Sequence, residues 1–169
     1  MSSLITAVAM VIAALTGADS LKASRVAEYY VETSGLTRVD LPLLIAKDYH
    51  ESSLRSDAVS PVGAIGRAQL HGFYRDWWRR DCRDAINMGF GEEVCEAINV
   101  RIGGFALRDH MQRCGGGWLR GISSYRGSGC NPTGKALFKA QQTLKLARMV
   151  RHRLAHPSTK RMVAPRLAR

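Results

Sequence analysis

The passage from residue 41 to residue 70 constrains the fold more than any other. It opens on an apolar run, Leu41, Leu43, Leu44 and Ile45, which predicts a buried helix capped near Asp40 with Pro42 tolerated in its first turn. Leu44, Asp48 and Glu51 fall at helical spacing on one side of it. Ser52 and Ser53 signal its end. A polar loop follows, then Ser60-Pro61 and the pair Gly63 and Gly66, residues suited to turns and close backbone approach. A carboxylate therefore closes a largely apolar helix beside a glycine-bearing loop. In such surroundings a carboxyl can keep its proton near neutral pH and serve as a general acid.

The rest of the chain supports a single helical domain. At 169 residues it is long enough to bury a core. Residues 3–16 read as a nearly all-apolar helix, destined for burial or a partner surface. A second helix spans 21–33 and is expected to end at Gly35. After residue 70, Phe73 and Trp77, with Trp78 as the alternative, are expected in the core. Residues 92–111 read as a long helix with Val94, Ile98, Ile102 and Phe105 inward. Residues 133–154 form the last helix, with a basic flank that includes Lys135, Lys139, Lys145 and Arg148.

Charge divides the chain unevenly. The net charge is +11, and from residue 101 onward there are fifteen Lys or Arg against one acid, Asp109. That excess predicts polyanionic surroundings. No reader-helix motif supports nucleic acid, so an anionic outer membrane or lipopolysaccharide facing the last helix is the preferred basic-face partner.

The four cysteines include no Cys-x-x-Cys, which argues against a zinc knuckle or redox motif. They permit two disulfides in an oxidising compartment, Cys114–Cys130 and Cys82–Cys95 being the preferred pairing. Four buried free thiols are the alternative. The five histidines lack ligand spacing, so neither metal nor cofactor is expected. The apolar run at 4–15 lacks a basic n-region and is short of a membrane span, which favours an ordinary helix over an export signal. Glu92 and Glu93 are expected to favour a helix start, and Asp57 a turn.

Glu51-Ser52, Ala58-Val59-Ser60, Gly63-Ala64-Ile65-Gly66 and Gln69 together resemble the signature of the soluble lytic transglycosylase family. Asn99 with Gly103, and Tyr125, resemble two further family positions. The chain departs from the pattern at Arg67 and Ala68, at Ala106 and at Arg126, where the family has an asparagine. The resemblance covers residues 42–154 and leaves 155–169 as a basic tail. It implies a mainly α, lysozyme-like helical domain with a substrate cleft and at most a minimal β element.

The same resemblance implies cleavage of the β-1,4 bond between N-acetylmuramic acid and N-acetylglucosamine in peptidoglycan. Glu51 would protonate the bridging oxygen, then take the proton of the muramic C6 hydroxyl as that hydroxyl closes to a 1,6-anhydro product. Ser60, Gln69, Asn99 and Tyr125 would line or orient the site. Ser52, Gly63, Gly66 and Gly103 would support it. Such an enzyme would act in the periplasm or cell wall, in a bacteriophage lysis or virion setting. The alternatives are lysozyme-type hydrolysis of the same bond and a catalytically inactive subunit of a virion or secretion machine.

Overall fold

The computed structural model describes residues 3–157, so the basic tail beyond 157 lies outside the described residues. Seven helices account for its regular structure: α1 (Ser3–Thr16), α2 (Ser20–Thr37), α3 (Leu41–Ser52), α4 (Gly72–Asn87), α5 (Glu93–Arg113), α6 (Trp118–Tyr125) and α7 (Gly134–Ala155). Among the described residues there is no strand. Two isolated antiparallel bridges, Val59–Ile65 and Ile65–Leu70, fold the loop between α3 and α4 back on itself.

Helix α3 is the centre. The Asp40 side chain accepts from Leu43 N, and Pro42 sits in the first turn, where its missing N–H costs nothing. Leu43, Leu44, Ile45 and Ala46 are consecutive and all buried, because α3 packs against both α2 and α7. Ser53 ends the helix in the left-handed region at φ 56°, its N–H returning to Tyr49 O.

α1 and α2 fold against each other through a turn at Gly17 (φ 72°), and Asp19 caps α2 by accepting from Lys22 N at 2.9 Å. One face of α1 is buried through Val8, Val11, Ile12 and Leu15, while Met10 faces outward. Gly35 does not stop α2. Buried Thr33 and Thr37 bear on Gly104 of α5, whose absent side chain leaves them room, and this contact carries the helix past the exposed glycine to Arg38. No single helix among the described residues is long and apolar enough to cross a membrane.

α5 lies against α2, α4 and α6. Its buried surface is correspondingly broad, comprising Asn99, Val100, Ile102, Gly103, Gly104, Ala106 and Leu107. Ile102 is buried as expected, whereas Val94, Ile98 and Phe105 are only half-buried. Phe73 also departs from expectation. It is 74% exposed, and Trp77 and Trp78 are both half-buried beside a small second core of Ala68, Leu70 and Ile102. Two disulfides close the α4–α7 half. Cys82–Cys95 ties α4 to α5, and Cys114–Cys130 links the end of α5 to the segment before α7, enclosing α6.

Candidate functional site

The final turn of α3 presents Glu51 at the end of a buried helix. Its side chain is 16% exposed, and its Oε1 lies 2.9 Å from Nε of Arg126, just beyond α6. The pair is poorly aligned: Oε1 is buried yet receives no hydrogen bond, and Arg126 donates its Nη2 to His50 O at 3.2 Å instead. Burial pushes the Glu51 carboxyl above its ordinary value, against the opposing pull of Arg126, Lys47 and Lys139 and with help from Asp48.

One helical turn earlier sits a network that the sequence reading missed. Lys47 and Asp48 form an ion pair in which each side chain is 1% exposed. Tyr30 of α2 donates to Asp48 at 2.8 Å. Lys47 also donates to Tyr125 Oη at 3.3 Å and lies 4.3 Å from the centre of that ring. Burial alone would push the Lys47 ammonium down, but adjacent Asp48 outweighs it and the proton is held more tightly than usual. The spacing Lys47 to Glu51 is the one signal that could have suggested this cation in advance.

The loop after α3 is held both by residues expected to support the site, Ser52, Gly63 and Gly66, and by residues expected to line it, Ser60, Gln69, Asn99 and Tyr125. Ser52 Oγ donates to Arg67 O at 2.8 Å. Ser60 accepts from Ala64 N through its hydroxyl and from Gly63 N through its carbonyl, forming a tight turn that places Gly63 at φ 76°. Asn99 reaches up from α5, accepting from Ala68 N at 3.0 Å and donating to Ile65 O at 3.2 Å. Gly66 has φ 73°, and a Cβ there would come within 2.4 Å of the Asn99 amide, so the contact demands glycine. Gln69 donates to the carbonyls of Ala58 and Gly66. Tyr125 donates to Ala68 O at 2.6 Å. Arg67 is buried, pairing with Glu96 at 2.8 Å and donating to Leu54 O.

Ser52, Gly66, Gln69, Asn99, Gly103 and Tyr125 thus meet around one loop. None of the side chains of Ser60, Gln69, Asn99 and Tyr125 hydrogen-bonds to Glu51 itself; their polar atoms serve the loop backbone. Glu51 is approached by Arg126 just beyond α6, by Lys139 from α7 and by Lys47 and Asp48 from its own helix. His50 points to α7, where it meets Thr143 Oγ1 at 2.8 Å.

Three cavities lie elsewhere. One of about 420 Å³ is walled by Trp78, Asn99 and the acids Asp57, Glu92, Glu93 and Glu96. Another of about 770 Å³ lies between the α1–α2 turn and the loop after α3, and a third of about 210 Å³ lies beside Tyr29. None of the three is lined by Glu51. No family model matches the chain, and neither a curated protein nor a solved structure matches it.

Proposed function

We propose that the chain is a peptidoglycan lytic transglycosylase of the lysozyme-like type, with Glu51 as its single acid and base. The observation that carries this reading is the position of Glu51: a carboxyl at the end of a buried helix, with its proton affinity raised by burial and a glycine-turned loop behind it. The bridge-only loop between α3 and α4 is compatible with the minimal β element of such a domain.

In this mechanism the glycan lies across Glu51, between the segment carrying Arg126 and helix α7. Glu51 gives its proton to the oxygen between the muramic and glucosamine rings as that bond breaks. Positive charge develops at the muramic anomeric carbon. The ionised carboxylate then accepts the proton of the C6 hydroxyl, and that oxygen bonds to the anomeric carbon. Because the nucleophile is already part of the substrate, no second carboxylate is needed. Asp48 is a poor candidate for one, being buried and committed to Lys47 and Tyr30.

A second reading draws on one observation. Arg126 at 2.9 Å favours the ionised form of Glu51, the form that cannot donate a proton, and this favours a non-catalytic binding subunit. Digestion of purified peptidoglycan followed by mass analysis separates the readings. Anhydro-muropeptides from the wild type, and none from Glu51→Gln, are the expected result. Reducing ends would mean hydrolysis. No Glu51-dependent release would leave the binding subunit.

The exposed Lys135, Lys139, Lys145 and Arg148 of α7 support a docking role on an anionic envelope surface. Co-sedimentation with lipopolysaccharide-containing vesicles, lost in high salt, is the expected outcome.

A further inference from the structure

The contact between Arg126 and Glu51 poses a chemical problem and suggests its own solution. An acid catalyst must hold a proton, yet a guanidinium lies 2.9 Å from its oxygen. The two side chains are 18% and 16% exposed, so part of each stays open to solvent even though Oε1 itself is buried. Arg126 is weakly held for a half-buried arginine. Its guanidinium makes a single hydrogen bond, to His50 O at 3.2 Å, and its approach to Oε1 is off the line of a hydrogen bond. It follows the last residue of α6 and precedes Gly127 and Gly129, at φ 79° and 72°, so the chain beyond it turns through positions where glycine tolerates backbone rearrangement.

We propose that Arg126 is a displaceable counterion that reads a carboxylate on the muramic sugar: it rests on Glu51 in the free protein and moves to the substrate acid when the glycan binds, leaving Glu51 free to become protonated. This inference rests on the transglycosylase reading. The proton is taken up from solvent, and no covalent bond other than its own O–H is made. Guanidinium is suited to the exchange because its planar fork matches a carboxylate whichever molecule supplies it. Two sources offer that chemistry, the lactyl carboxylate of muramic acid and the carboxylates of its peptide stem.

The remaining charges around Glu51 make Arg126 the element that can switch. Lys47 and Asp48 neutralise each other in the interior, and Lys47 is further held by Tyr125. Lys139 of α7 is exposed, so solvent screens it. Removing Arg126 therefore removes the largest opponent of Glu51 protonation.

Carboxyl-carbon NMR of the full chain reads the Glu51 titration directly, without turnover. Arg126→Gln is expected to move that titration up by about one pH unit or more, and Arg126→Lys, which keeps the charge but not the fork, by less. In the wild type, saturating N-acetylmuramic acid or muramyl dipeptide is expected to raise it. N-acetylglucosamine, which lacks the carboxylates, is expected to leave it in place. The first acid sugar carries the lactyl carboxylate free and the second carries it as an amide, so the one that acts identifies the source. In Arg126→Gln neither acid sugar should add a further shift.

An unmoved titration in Arg126→Gln overturns the proposal. So does an equal response of the wild type to all three saccharides, or a response to none. The saccharide arm needs no variant, so a misfolded Arg126→Gln would not rescue the idea. Glu51-dependent release of peptidoglycan with flat titrations would leave the enzyme reading standing and sink the displaceable pair. Responsive titrations without release would do the reverse.

Discussion

Tyr125 donates a 2.6 Å hydrogen bond to the carbonyl of Ala68, joining the end of α6 to the loop that follows α3. The same phenol accepts from Lys47 of α3 at 3.3 Å. One side chain therefore fixes three segments relative to one another directly behind Glu51. A tyrosine that resembles a cleft residue in sequence is, in this structure, a brace for the site's framework.

Replacing Tyr125 by Phe keeps the ring against Lys47 and deletes the hydroxyl. Ala68 O then loses its donor and the Lys47 ammonium one acceptor. The expected cost is about 1–3 kcal/mol, the penalty for stranding a buried polar group. Urea denaturation should show a lower midpoint with an unchanged slope.

Lys47→Met is expected to cost more. Asp48 would keep its bond from Tyr30 but lose its counterion in a place that is 1% exposed. Breaking a buried pair from one side costs about 3–5 kcal/mol, whereas replacing both charges with apolar groups is often nearly neutral. The double variant Lys47→Met/Asp48→Leu should therefore regain part of the loss, offset by the buried Tyr30 hydroxyl that Asp48→Leu leaves without an acceptor. Equal destabilisation of the single and double variants would show that the pair is not the cause.

How far the sequence revealed this arrangement depended on the range of the interaction. Asp40, Pro42 and the apolar run set the start and the burial of α3, because caps and helical periodicity are local. The glycines at 63 and 66 announced a turn for the same reason. Gly35 misled because an exposed glycine does not end a helix that Thr33 and Thr37 anchor to a neighbour. Phe73 misled because hydrophobicity does not say which residue of a helix faces inward. The Arg126–Glu51 pair joins α3 to the residue that follows α6, and no spacing rule predicts a contact that only tertiary packing creates.

Gly103→Ala tests the closest approach behind the loop. A Cβ at this position would lie 2.3 Å from that of Ala68 and 3.2 Å from Lys47 Nζ. Ala68 is fully buried, so it cannot swing away as a long surface side chain would. Helix propensity favours alanine by about 1 kcal/mol, but overpacking costs about 1–3 kcal/mol and should prevail. A lower thermal midpoint is expected. An unchanged or higher one would mean that α5 and the loop can separate without penalty.

His50 should give the fold an acid limit. Thr143 donates its single hydroxyl hydrogen to Lys139 O at 3.1 Å, so His50 Nδ1 must be the donor in its 2.8 Å contact with Thr143. The ring keeps that bond in either charge state, because Nδ1 carries its hydrogen in both. Burial, reinforced by nearby Arg126, pushes its pKa from 6.5 to about 4. Between those values the unfolded chain binds the proton and the folded chain does not. Stability contributed by the neutral ring is thus complete above pH 6.5 and is lost as pH falls toward about 4. Discounted for the ring's partial exposure, the loss is about 1–2 kcal/mol. Glu51, whose proton affinity is raised by burial, contributes in the opposite sense as pH climbs above its unfolded value of 4.5, so the absolute curve mixes the two. The comparison with His50→Gln isolates the histidine. Thermal midpoints of the two proteins should run parallel above pH 6.5 and converge as the wild type falls faster below it. Parallel curves throughout would show that the imidazole accepts its proton inside the folded protein without cost.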